Sequence, residues 1–128
     1  MACTRGPWQD WAVATSARCM EQYDSDGVDP DTTTRPYPCR NTLHGCGYTR
    51  ADGTIAATYS VFSRRRLMKR LYTMVLAHKR DGLVDLHASG CYNAPAMAFA
   101  TDFWNGEHLP RAEHGTDFVA ILAVETGD

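Results

Sequence analysis

The chain has 128 residues, of which 44% are hydrophobic and 22% charged, and its formal net charge is -2. That length and composition fit one globular unit with a core. The weak negative charge excludes a global pull toward nucleic acid or an anionic membrane, and no apolar run approaches the ~20 residues needed to cross a bilayer.

Residues 1–8 lack the apolar core of a signal peptide. Five cysteines, Cys3, Cys19, Cys39, Cys46 and Cys91, stand at irregular spacing. The odd number leaves at least one unpaired within a monomer, and reduced thiols are the expected state. Between Trp8 and Tyr23, apolar side chains recur at helical spacing (Trp8, Trp11, Ala12, Ala14 or Thr15, Cys19, Tyr23), which predicts a helix. Gly27-Val28 reads as a short strand. The stretch 29–58 is a long connection with proline, glycine and a turn at 51–54, a kind of segment that is usually functional or disordered.

A helix from about Val61 to Lys79 is the clearest element. Leu67, Leu71 and Val75, with Met68 and Tyr72, form an apolar stripe expected to be buried. Arg64, Arg65, Arg66, Lys69 and Arg70 occupy much of the rest, with Arg65 and Lys69 expected at the surface. Ser60 or Ser63 suits the start, and Asp81-Gly82 the stop, with glycine in the left-handed position. Leu83 to His87 reads as a buried strand. A turn at 88–90, a short helix from Asn93-Ala94-Pro95 and a strand at 102–104 follow. The apolar segment 118–124 is strand or buried helix, between which periodicity does not decide. Strands separated by helical crossovers imply parallel pairing and an α/β fold. No phosphate-loop or dinucleotide motif is present.

Two acidic loops follow strand signals. Asp29 and Asp31 fall on one side of an extended chain. Paired carboxylates repel, so one holds its proton and can act as an acid; a solvated turn is the plainer alternative. In Trp104-Asn105-Gly106-Glu107, the indole suits a sugar ring, Asn105 a hydroxyl, and Glu107 beside an apolar surface a proton donor; a surface turn is the alternative. His87 and Ser89 read as substrate hydrogen-bonders or core polar groups, since no Gly-x-Ser-x-Gly elbow supports a serine nucleophile. Cys39, His44 and Cys46 form C-x4-H-x-C. A structural zinc needs a fourth ligand, which would have to come from Cys19, Cys91, His108 or His114. With none at standard spacing, no bound metal and no cofactor are expected; a Cys39–Cys46 disulfide is a further alternative. The basic run 64–70 fits a solvated helix face better than a phosphate-binding one, so no nucleic-acid partner and no membrane partner are expected.

The segment 26–110 resembles the catalytic barrel of bacterial glycoside hydrolases, in the form of an uncharacterised glycoside-hydrolase-like domain. The resemblance rests on Asp26-Gly27-Val28 with Asp31, Cys39-Arg40-Asn41 with His44-Gly45-Cys46-Gly47, the Arg/Leu-rich helix 65–72, His87-Ala88-Ser89-Gly90, and Asn105-Gly106-Glu107. Asp29-Pro30-Asp31-Thr32 stands where the family pattern reads Tyr-x-Asp-Gly, so the acidic position is kept while the aromatic and the glycine are not. The resemblance implies a partial TIM (β/α)8-type barrel. A full barrel takes ~250 residues, so residues 1–128 would be a single domain or a fragment of one. It would be weakly active or inactive alone and prone to self-association through open sheet edges. The implied activity is acid/base hydrolysis of a glycosidic bond in a carbohydrate substrate. Asp31 and Glu107 would be the catalytic pair, and Asp29, His44, His87, Ser89, Trp104 and Asn105 would line the sugar site. The opposing expectation is a non-catalytic carbohydrate- or metal-binding module that uses Cys39, His44 and Cys46.

Overall fold

A computed structural model describes residues 3–31, 36–87 and 93–104. In chain order the elements are helix α1 (Trp8–Tyr23), strand β1 (Gly27–Val28), strand β2 (Pro38–Cys39), a 3-10 turn (Thr42–His44), strands β3 (Tyr48–Thr49), β4 (Ile55–Ala56) and β5 (Thr58–Tyr59), helix α2 (Val61–His78), strand β6 (Leu83–His87), helix α3 (Ala94–Met97) and strand β7 (Asp102–Trp104).

The strand β6 decides the architecture. Its residues alternate, so Val84 and Leu86 point to one face and are fully buried. They meet the stripe of α2, where Leu67, Met68, Leu71 and Val75 are buried as the spacing predicts, and Met20 and Ala96 complete the cluster. Removing these apolar side chains from water is the main force holding the layers together. Arg65 and Lys69 are exposed, also as expected. Strands β1, β6 and β7 form a parallel sheet in that order. The helices α2 and α3 lie in the two crossovers, which is the α/β arrangement. Among the described residues the sheet has three strands and does not close into a barrel. Nor is any helix among them long and apolar enough to cross a membrane. The long connection after β1 is not structureless. It holds two small antiparallel pairs, β2 with β5 and β3 with β4.

Three expectations need correction. The bounds of α1 match its periodicity, yet the residues of its apolar stripe are not its buried face. Trp8, Trp11, Cys19 and Tyr23 are exposed, while Gln9 and Met20 are buried. A polar interlock sets the rotation of the helix. Gln9 Nε2 donates to Thr4 O and to Ser63 O, Arg70 Nη1 donates to Gln9 Oε1 at 3.4 Å, and Arg70 Nη2 pairs with Asp10 at 2.7 Å. The basic run on α2 is likewise not all solvated: Arg64 is buried, and the Arg65 guanidinium stands 4.9 Å from the centre of the Phe99 ring. Finally, Gly82 is not a left-handed cap. It is among the residues with ordinary φ, and a Cβ there would lie 2.6 Å from Val75 Cγ1. The glycine lets the chain pass close over α2 on its way into β6.

Candidate functional site

Because β1, β6 and β7 are parallel, their C-terminal ends lie together. The register pairs Val28 with Val84, Asp85 with Asp102, and His87 with Trp104. Carrying it three residues past β1 sets Asp29 beside Asp85 and Asp31 beside His87. On the face away from α2 this makes one row of three carboxylates, Asp29, Asp85 and Asp102. The next row is Asp31, His87 and Trp104. The second row is joined by a close contact, His87 Nδ1 to Asp31 Oδ1 at 3.0 Å. His87 is mostly buried, at 16% exposure, and Asp31 is open to solvent at 70%.

Asp85 is the half-buried member. Its Oδ1 is buried and has no hydrogen-bond partner among the described residues. Burial raises its pKa above the ordinary carboxylate value, and the charges of Asp29 and Asp102 push it further up; the Trp104 backbone N–H and His87 only partly offset this. Such a carboxyl is suited to holding and releasing a proton. Neither Asp85 nor Asp102 figured among the sequence candidates. The signal was present: a charged residue in the middle of an alternating apolar strand, Leu-Val-Asp-Leu-His, has to face something other than the core.

A raised pKa means that ionising Asp85 is harder in the folded chain than in the unfolded one. The folded state is therefore penalised at any pH above the unfolded pKa, and the penalty vanishes as pH falls below it. Asp85→Asn, which keeps the shape and removes the charge, is expected to raise the Tm at pH 7 and to leave it unchanged near pH 3. Thermal denaturation at the two pH values checks this, and a lower Tm for the variant at pH 7 would contradict the electrostatic account.

A second cluster forms apart from the sheet. Cys3, Cys39, His44 and Cys46 place one donor atom each within 4.8 Å of all the others. Cys3 Sγ is 3.6 Å from Cys46 Sγ, and Cys39 Sγ is 3.2 Å from His44 Nε2. The local sequence builds the turn that makes this possible. Asn41 Oδ1 accepts from Leu43 N at 3.0 Å and starts the 3-10 turn. Gly45, at φ +77°, ends it and donates to Thr42 O. Gly47, also at φ +77°, donates to Thr58 Oγ1 at 2.8 Å. These left-handed positions suit glycine, and they bring His44 and Cys46 to one side. Burial, then the Cys3 and Cys39 sulfurs, push the Cys46 thiol up to about 11. Burial works against the Cys3 thiolate, but the Arg5 backbone N–H with Cys46, Cys39 and Ser60 outweighs it and lowers the Cys3 pKa.

Of the expected site residues, the structure brings Asp29, Asp31, His87 and Trp104 to one sheet face. It places His44 in the cysteine cluster instead, facing Cys39. Ser89, Asn105 and Glu107 lie outside the described residues, as do Cys91, His108, His114 and the segment 118–124. The fourth member of the cluster is Cys3, not the exposed Cys19. Cys39 and Cys46 are free thiols here rather than a disulfide. Sequence spacing did not point to Cys3 because it is 43 positions from Cys46 and joins the cluster only through the fold. Comparison of the chain with protein-family models, curated proteins and solved structures finds no match.

Proposed function

We propose that the chain is the α/β part of a glycosidase-type barrel, with its sugar site on the polar face at the C-terminal ends of β1, β6 and β7. The observation that carries this reading is the gathering of Asp29, Asp31, Asp85, Asp102 and His87 on that face, with Asp31 and His87 at the C-terminal ends of β1 and β6. Like charges side by side oppose folding, and strand ends of this kind are where α/β barrels present catalytic groups. Strands added in sequence order, β1 then β6 then β7, with helical crossovers, also support the barrel reading.

In this reading Trp104 offers its indole to the face of a sugar ring. Asp31, solvent-exposed and paired with His87, is the carboxylate that acts as base or nucleophile. Asp85, whose pKa burial and its acidic neighbours raise, lies in the next row beside Asp29 and is the candidate proton donor. Glu107, three residues beyond β7 in the sequence, is the second carboxylate that the family resemblance supplies. Leu83, on the same face, is 50% exposed, which fits a sheet lacking the opposite wall of a barrel and favours slow turnover by the chain alone.

The test is a panel of aryl glycosides and oligosaccharides applied to the purified protein, read as turnover and as tryptophan fluorescence. Saturable quenching lost in Trp104→Ala is expected, together with slow turnover that falls about 10²–10⁴-fold in Asp31→Asn. The reading fails if no sugar gives a saturable response in either readout. It fails equally if turnover survives the double change Asp31→Asn and Glu107→Gln.

A further inference from the structure

We propose that Cys3, Cys39, His44 and Cys46 bind one zinc ion in a closed, structural site. The inference is independent of the sugar-site reading and reverses the expectation of no bound metal, whose basis was the lack of a fourth ligand. All four donor atoms lie within 4.8 Å of one another, and two of the six edges already have the length a zinc tetrahedron needs. Zinc–sulfur bonds of ~2.3 Å and a zinc–nitrogen bond of ~2.0 Å set S···S edges near 3.8 Å and S···N edges near 3.5 Å. The observed 3.6 Å between Cys3 and Cys46 and 3.2 Å between Cys39 and His44 lie within a few tenths of these values. His44 turns Nε2 toward Cys39 Sγ, so Nε2 is the nitrogen that would bind the ion and Nδ1 the one that would then carry the proton. That side of the ring faces Gly6, where a Cβ would come to 3.4 Å from Nδ1.

Donor chemistry selects the ion. Three thiolates and an imidazole are soft ligands that suit zinc and exclude calcium or magnesium, which take oxygens. On binding, each of the three thiols releases its proton to solvent and gives a sulfur lone pair to the metal, while the imidazole binds neutral. The site then carries a net charge of about -1. The Arg5 guanidinium lies beside the ligand loop, its Nη2 only 3.2 Å from where a Cβ on Gly45 would be. All four positions of the tetrahedron are filled by protein, as in structural rather than catalytic zinc sites.

The surrounding fold needs such a staple. Among the described residues of 36–59, Cys46 and Ala56 are the buried ones. The two ladders there are two residues long on each strand. Isolated pairs of that size are marginal in water, and a region without an apolar core usually takes a metal or disulfides to hold its shape. The ion would tie β2 and the 3-10 turn to the N-terminal segment. That segment is itself fixed to the start of α2 through Thr4 Oγ1 and Ser60 Oγ at 3.2 Å.

The experiment uses the full chain, expressed with added zinc and purified under reducing conditions. Metal analysis after dialysis should give about one zinc per chain, as for other sites of this ligand class. Substitution with cobalt should give the thiolate-to-metal charge transfer and d–d bands of a tetrahedral thiolate site. Cys3→Ser and Cys46→Ser should weaken binding more than about 100-fold, since loss of outer-shell partners alone costs about 10–100-fold. Cys19→Ser should leave both stoichiometry and spectrum unchanged. If the ligand variants do not fold, chelation of the wild-type protein decides: three thiols should become reactive to a disulfide reagent as the metal leaves. A wild-type chain that binds no zinc above background overturns the proposal. So does a Cys3→Ser variant with full zinc and an unaltered cobalt spectrum, or a chelator that frees no thiol.

Discussion

Gly27→Ala is expected to destabilise the protein by about 3 kcal/mol or more, the range of severe overpacking. Gly27 pairs with Leu83 across the β1–β6 ladder. A Cβ on it would overlap the Leu83 carbonyl oxygen and stand 2.7 Å from the Leu83 carbonyl carbon and 2.9 Å from its Cα. All three are backbone atoms, so no rotamer change relieves the clash and the strands have to separate. Strand β1 is two residues long, and little else on it resists that movement. Separation would also draw Asp29 and Asp31 away from Asp85 and His87. Urea denaturation measures the loss, and Gly53→Ala is the control. Gly53 has φ +82° with nothing near its missing Cβ, so its substitution meets only the left-handed backbone penalty of about 1–2 kcal/mol. A Gly27→Ala change no more harmful than Gly53→Ala would show that β1 is not held against β6 as described.

Leu86→Ala is expected to cost about 2–5 kcal/mol, with the cavity adding to the lost transfer energy. Leu86 has 0% exposure and belongs to the cluster that joins β6 to α2. It lies on the central strand, so neither neighbouring strand can collapse into the gap without losing its own ladder. The change should act on the site as well as on stability. Leu86 sits between Asp85 and His87, which point to the opposite face, and a shifted β6 would lengthen the 3.0 Å His87–Asp31 contact. Equilibrium unfolding gives the first effect, and the histidine ring resonances across a pH titration give the second. A loss below about 0.5 kcal/mol, usual for surface positions, would place Leu86 outside the core.

The helix α2, the strands β6 and β7, and the parallel sense of the sheet were legible in the sequence. Each depends on local periodicity or on the presence of a helix between two strands, and the chain carries both in consecutive residues. Asp31 and His87 could be named as polar residues at strand ends for the same reason. Their contact could not be, because it depends on the register of β1 against β6, which the close approach at Gly27 fixes. The buried face of α1 was illegible on hydrophobicity: Gln9 is buried because Thr4, Ser63 and Arg70 supply partners from other parts of the chain, while Trp11 stays outside. Asp85 stood out in the sequence as a charge within an apolar strand, but its raised pKa comes from burial first and then from Asp29 and Asp102 on either side, all consequences of packing. The cysteine cluster makes the same point most sharply. The motif Cys39, His44 and Cys46 is written in eight consecutive residues, and its glycines shape the turn locally. Its completion by Cys3 required α1 to dock on α2 and bring the N-terminal segment across, a consequence of packing between distant parts of the chain that no spacing rule contains.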